Sequence, residues 1–436
     1  MKGLRFLAYL GILTIFIIQP LTMKGQWNTN TAQNLNISGM EAGPMESAST
    51  SDDKVWVAFY STNEGNFDMR AQLFDASGNK LLGPDGVLVS NQSSGTATFV
   101  YGVCVDASDN FIIAMQYEIA DDYQIVLYKI SQQGEHLWTS AGVKPGTGLA
   151  PYPALLSTGE IVVSWLSTTS NTLDYQKISP SGTLVWENPY SITIGTSKTT
   201  RGQIVGNLDG KFTIVYQKKG YGVATTLYAQ HFNNDGTALY DPMQICDQTS
   251  SGARYYSILA EADTTYFGYY SSAGYRFDSF LQRIKPDGTT PWGMNGSNFN
   301  TSTGSNDNYQ GLTQICREAG SDYIWSVCSF CDPNQTVYGI YVQKFSKVSG
   351  ARILGDQAKE VFPISATRNI PAGNLIVEDD NPIFMYSDVN EKMYVTRLDA
   401  TGSFIWPNQA AEICSTTNGK SRYNFNRVDE HWLAGM

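Results

Sequence analysis

Residues able to do acid–base, nucleophilic or metal chemistry are unevenly supplied in this 436-residue chain: 40 Asp and Glu, six Cys and three His. The cysteines are Cys104, Cys246, Cys316, Cys328, Cys331 and Cys414. Cys328 and Cys331 make a Cys-x-x-Cys, but a structural zinc site needs four ligands. Of His136, His231 and His431, two fall at positions of a repeat described below. Disulfides or buried thiols are therefore expected rather than a metal centre. Cys316 could meet Cys328 across a hairpin, or Cys328 could close a small loop with Cys331. The chain has no Gly-x-Ser-x-Gly elbow, no His-Glu-x-x-His and no phosphate-binding glycine loop. The turns Asp106-Ala107-Ser108-Asp109 and Glu378-Asp379-Asp380 offer carboxylates to Ca²⁺, but without EF-hand spacing. Solvated turn caps are the commoner use of such residues. A glycosidase pair needs two carboxylates roughly 5–9 Å apart, which sequence spacing does not identify. The catalytic set is thus left unassigned, and no cofactor is expected, calcium aside.

Aromatics are the other chemically useful class. Tyr266, Tyr269, Tyr270, Tyr275, Phe277 and Phe280 crowd around Gly274. Such rings would stack on sugars or peptide at an open mouth, or else fill the core. A polar stretch from Gly293 to Asn308 follows. Sequons at Asn36, Asn91, Asn295, Asn300 and Asn334 are expected on polar surface loops.

The elements that must position these residues follow from composition and pattern. Only 16% of residues are charged, 12% are aromatic and 40 are Gly. Disordered chains are poor in aromatics, and helical bundles need more Ala, Leu, Glu and Lys. An all-β chain is the remaining class. One unit recurs: a short strand, a Gly turn and a bulky residue four positions after the Gly. The glycines are Gly78, Gly134, Gly182, Gly236, Gly288, Gly350 and Gly402, spaced 48 to 62 residues apart. The residues at plus four are Leu82, Trp138, Trp186, Tyr240, Trp292, Leu354 and Trp406. An alternating strand precedes each unit, Val55-Trp56-Val57-Ala58-Phe59-Tyr60 being one, with a weaker strand before it and another after the aromatic. Four strands in about 50 residues, repeated, is the pattern of β-propeller blades. One blade cannot cover its own two faces; its neighbours do. Gln72, Gln176, Gln230, Gln282 and Gln343 recur with the unit, which argues for a structural role such as bonding to a neighbouring blade.

The ends set the expected blade count. Gln26 to Ser38 reads as an outer strand, and Arg422 to Met436 as the opening of a blade. Joining them would close the ring and remove two sheet edges. Eight four-stranded antiparallel blades are expected on this basis, with seven and externally packed tails as the alternative.

Residues 1–25 read as a secretory signal peptide: Lys2 and Arg5, then the apolar run from Leu7 to Ile18, then Pro20 and Gly25. The run is short for a membrane span. Residues 26–436 are expected to be a single propeller domain, in which a truncated C-terminus is allowed for. Without Lys2, Arg5 and Lys24, 26 basic residues face 40 acidic ones. Such a chain repels polyanions, so nucleic acid is a poor partner.

The repeated Tyr/Ala-Gln-x-Ile/Phe-x-x-x-Gly-x-x-x-Trp, over residues 27–436, resembles uncharacterised secreted β-propeller repeat proteins of Bacteroidetes-type bacteria. Leu82, Tyr240 and Leu354 depart from its Trp position. The resemblance implies export to the periplasm, cell surface or medium, and assigns no catalytic residue. With no catalytic string in view, the first expectation is a non-catalytic module binding glycan or protein at the cell envelope, more often not an enzyme than one. The second is a carbohydrate-active hydrolase or lyase using acidic residues at the propeller mouth.

Overall fold

The computed structural model describes residues 30–435 apart from 64–65, 93–98, 121, 194–197, 200–201, 221–222, 251–256, 274–275, 302–308 and 429–430. The expected signal peptide and Tyr275 lie outside the described residues. Period-2 alternation dictates how each strand is shared between neighbours. In the strand Lys54–Asn63, Trp56, Ala58 and Tyr60 pack toward Phe111, Ile113 and Met115, while Val55, Val57 and Phe59 pack the other way, toward Val428. Trp56 stacks on Phe111 with centroids 5.0 Å apart. Applied along the chain, this rule gives seven antiparallel blades round a central axis, spanning residues 42–90, 102–147, 149–192, 198–246, 249–298, 309–365 and 370–414. Each runs from inner to outer strand in chain order, and successive inner strands are neighbours.

The blades number seven, not the eight expected. After blade 7 the chain forms only a two-stranded hairpin, Asn424–Val428 with His431–Gly435. Its first strand lies beside the inner strands of blades 7 and 1. Among the described residues, the N-terminal segment from Asn30 supplies no outer strand. That segment is rich in Asn, Thr and Ser and is pinned by local polar bonds instead of a ladder. Ser415 N–H donates to the Thr31 carbonyl at 2.8 Å and the Thr31 hydroxyl donates to Glu412 at 2.8 Å. Gly39 N–H and the Ser38 hydroxyl donate to Asp85 at 2.8 and 3.1 Å. Closure is made by hydrogen bonds between the hairpin and blade 1: the Asn424 side chain accepts from Ser47 N–H and donates to the Met45 carbonyl, and the Ser49 hydroxyl donates to the Arg427 carbonyl.

All seven turn glycines have φ between 72° and 88°, the left-handed region that L side chains avoid. Most also face the bulky residue of the preceding blade. A Cβ on Gly182 would lie 2.7 Å from the Trp138 ring, one on Gly236 2.6 Å from Trp186, and one on Gly350 2.8 Å from Trp292. The repeated aromatic therefore caps the next blade's turn, which explains the fixed four-residue offset. Gly182→Ala is expected to cost about 2–4 kcal/mol, combining left-handed strain with overpacking. Gly83→Ala, at φ 76° with nothing within 4 Å of its Cβ, should cost only about 1–2 kcal/mol. Urea midpoints of the two variants check this; equal losses would remove the packing argument.

The recurring glutamines are buried and act mainly within their own blades. Gln72, Gln176, Gln282 and Gln343 donate to the carbonyls of Gly83, Trp186, Gly293 and Gly355, fixing the loop to the outer strand. Gln282 and Gln343 also reach the preceding blade, at the carbonyls of Ile245 and Phe299. A second periodic feature was missed in the sequence: a basic residue beside the Gln position. Lys129 donates to the Pro180 carbonyl, Lys177 to that of Asn234 and Arg283 to that of Lys347, while Lys344 pairs with Asp380. Each reaches a turn of the following blade, so this turn-side face is stitched.

Blade 4 has His231 at that position. Its Nδ1 lies 3.0 Å from the Thr213 hydroxyl, which also meets Thr265 of blade 5 at 2.8 Å; its Nε2 is buried without a partner. Burial holds its pKa down at about 4, against an ordinary 6.5, with nearby Asp263 opposing the shift. The unfolded chain takes up the proton near pH 6.5 and the folded one only near 4. Stability should therefore fall as pH drops through that window, by roughly 3 kcal/mol from this residue. Urea unfolding at pH 7 and 4.5 should show a smaller acid loss for His231→Gln than for the parent; equal losses would refute it.

Candidate active site at the hairpin-side mouth

The two faces of the ring differ in what their polar groups do. On the turn-side face the acidic turns weighed for Ca²⁺ are committed to the protein. Asp106 accepts from Ser108 and Asn110 N–H and pairs with Lys129 at 2.7 Å. Asp109 accepts from Ser51, and Asp380 from the Trp325 indole. Glu378 accepts from the Trp432 indole and pairs with Arg427. No group of three His, Cys, Asp or Glu able to hold a metal occurs among the described residues.

The cysteines are all free thiols. Neither expected disulfide forms: Cys316 stands opposite Trp325 and Cys328 opposite Tyr341, while Cys328 and Cys331, three apart on one strand, point to opposite faces. Burial pushes the Cys104 thiol up to about 12 and Cys331 to about 11, so neither supplies a thiolate nucleophile at neutral pH. Of the sequons, Asn36 and Asn334 are exposed, but Asn300 is buried and accepts from Gln310.

The opposite face, where hairpins join the second and third strands of each blade, carries polar groups that break the repeat. In blade 5 the strands Thr264–Ala273 and Arg276–Ile284 pair with Ser271 opposite Asp278 and Ser272 opposite Phe277. The aromatic-rich stretch divides here. Tyr266, Tyr269 and Phe280 are core residues, whereas Tyr270 and Phe277 are half-buried at the hairpin end. Phe277 meets Tyr270 edge-on at 6.1 Å and Tyr309, at the start of blade 6, at 5.9 Å.

Beside these rings Arg276 Nε donates to Asp278 at 2.7 Å, and each side chain keeps about a fifth of its surface exposed, 19% and 22%. Gln310 Nε2 lies 3.4 Å from the same Asp278 oxygen and donates to Asn300 at 2.8 Å. Its carbonyl accepts from Ser279 N–H, and the Ser279 hydroxyl meets Thr313 at 2.7 Å. Buried and fully bonded, Gln310 is a rigid support for the charged pair. Farther along the same edge, Tyr338 stands opposite Cys331, which stands opposite Tyr309, and the exposed Arg368 guanidinium lies 5.3 Å from the Tyr338 ring. The mouth thus presents half-buried rings, a held carboxylate and two arginines. Arg276, Asp278, Tyr309, Gln310 and Arg368 were not singled out in the sequence. Only Asp278 left a trace: it stands four residues before Gln282, as Asp68 does before Gln72.

No protein-family model and no curated protein sequence matches the chain. Solved structures do. A polysaccharide lyase, the PL25 ulvan lyase, superposes with a TM-score of 0.54 at 10% identity, covering 84% of this chain and 95% of that one. The same type of enzyme bound to -[GlcA(1-4)Rha3S]- gives 0.53 at 9% identity, with the same coverage. At such identity the likeness is one of fold. It overturns the first expectation of a non-catalytic module that is more often not an enzyme, and backs the second, a carbohydrate-active hydrolase or lyase. A linear string is a poor guide in a propeller, which gathers its polar groups from different blades: Asp278 and Tyr309 lie 31 residues apart in sequence yet at one mouth. No helix among the described residues is long and apolar enough to cross a membrane.

Proposed function

We propose that this chain is a polysaccharide-cleaving enzyme, and that it works as a lyase on uronate-containing chains at the hairpin-side mouth of blades 5 and 6. The observation that carries this is the Arg276–Asp278 pair set against the half-buried rings of Phe277 and Tyr309. β-Elimination removes the proton on the carbon bearing the uronate carboxylate and breaks the bond to the leaving sugar oxygen at the neighbouring carbon. The carboxylate must be neutralised while charge builds on it. Arg276 supplies that charge from a guanidinium held by Asp278 that keeps about a fifth of its surface exposed to the mouth. The Tyr309 phenol and the Asp278 carboxylate are the groups able to move a proton, and the rings hold the sugar face. Lys2, Arg5 and the apolar run after them support export of the chain, where its polymer would be found, and a place among secreted bacterial propeller proteins.

The test is incubation with ulvan and a panel of uronate-containing polysaccharides. Ultraviolet absorbance reads the unsaturated product, and a reducing-end assay runs in parallel. Both signals rising together support elimination. Reducing ends without absorbance indicate hydrolysis and displace the lyase reading. Neither signal on the whole panel removes the enzyme reading for those substrates.

A further inference from the structure

On the turn-side face, a separate open groove of about 580 Å³ lies between blades 3 and 4, within the size range of small-ligand sites. We infer that it is a second carbohydrate-binding site, holding a neutral sugar unit of a polysaccharide away from the mouth. Trp186 and the exposed Val185 form its apolar wall. Trp186 occupies the repeat position that caps the next blade's turn, but its indole N–H differs from its equivalents. That of Trp138 donates to the Pro180 carbonyl at 3.0 Å and that of Trp292 to the Val348 carbonyl at 3.4 Å. Lys177 donates to the Asn234 carbonyl at 2.7 Å, as Lys129 does to that of Pro180, but the Trp186 N–H joins no such bond and makes no hydrogen bond among the described residues.

Across the groove the exposed Asp209, at φ 56°, likewise has a carboxylate bonded to nothing described, whereas Asp109 and Asp380 in corresponding turns are bonded to their neighbours. The groove therefore offers one indole donor, one carboxylate acceptor with no hydrogen-bond partner among the described residues and an apolar wall, the complement of a ring with hydroxyls on its edge and C–H groups on its face. Its two lysines are each balanced by an acid, Lys177 by Glu160 at 3.1 Å and Lys211 by Asp263 at 2.9 Å. That leaves no surplus positive charge for an anionic sugar and separates this ligand class from the one proposed for the mouth.

Native gels containing a soluble mannan, xylan or mixed-linkage β-glucan test this, with the full chain as parent and Trp186→Phe, Asp209→Ala and Arg276→Ala as variants. Trp186→Phe keeps an aromatic side chain beside the Gly236 turn while removing the N–H together with one ring of the indole. The expected result is retardation of the parent by at least one polymer, weakened about tenfold in Asp209→Ala and Trp186→Phe and unchanged in Arg276→Ala. Retardation lost in Arg276→Ala but kept in the groove variants would place binding at the mouth and overturn the inference. So would an absence of retardation by all three polymers, or retardation indifferent to both groove substitutions. Cleavage at the mouth is read separately by product formation, so either proposal can fail alone.

Discussion

Arg276→Ala is expected to lower kcat/KM on a uronate polysaccharide by about 10²–10³-fold, the usual loss when a group stabilising developing charge is removed from a preorganised site. The arrangement gives this variant a specific signature. Arg276 is held by Asp278, and Asp278 by Gln310, which is fixed through Ser279 and Asn300. Alanine therefore removes the charge while the carboxylate keeps its amide partner, and folding should be little affected because Arg276 is only partly buried. The loss should fall on kcat, since the interaction strengthens as charge builds. Arg276→Lys keeps the charge but not the planar fork and should recover part of it. Arg368, against Tyr338 on the adjacent edge, should affect KM more than kcat. A purely structural Arg276 would lower the unfolding midpoint and leave specific activity per folded molecule intact; that result would refute its role.

The repeat was legible because one geometric need recurs. A left-handed turn capped by the preceding blade's aromatic demands Gly at one position and bulk at plus four, and seven copies reveal both. The blade count was less legible because it depended on the ends. Leu35 and Ile37 resemble an outer strand in sequence, but Thr31, Ser38 and Gly39 bond to Glu412 and Asp85 rather than to a strand partner. The stitching cations passed unnoticed because Lys129, Lys177, Arg283 and Lys344 mix two residue types and the same offset carries the uncharged His231 in blade 4. The mouth was nearly illegible: Phe277 and Tyr270 lie in a stretch of rings that is mostly core, and Gln310 has no significance until Asn300 and Ser279 are brought beside it. Repeated residues reported the scaffold; the candidate chemistry sits where blades 5 and 6 stop repeating.

Removing residues 424–436 is expected to abolish cooperative unfolding altogether. The closing hairpin is small, but both of its faces cover core. Val428 packs with Val55, Val57, Phe59 and Phe74 of blade 1, and Phe425 with Ala372, Ile383, Met385, Met393 and Val395 of blade 7. Burial of each larger side chain among these contributes about 1.5–3 kcal/mol. Uncovering even half of them approaches the roughly 5–15 kcal/mol that holds a whole domain. The ring would also gain two open sheet faces, so aggregation should accompany the loss. Asn424→Ala tests the same closure more gently, leaving Ser47 N–H and the Met45 carbonyl without their side-chain partner at a cost of about 1–3 kcal/mol. Near-ultraviolet circular dichroism during heating reads both. A truncated chain that still unfolds sharply within a few degrees of the parent would mean that blades 7 and 1 can cover each other, and that the hairpin is an ornament on a ring closed without it.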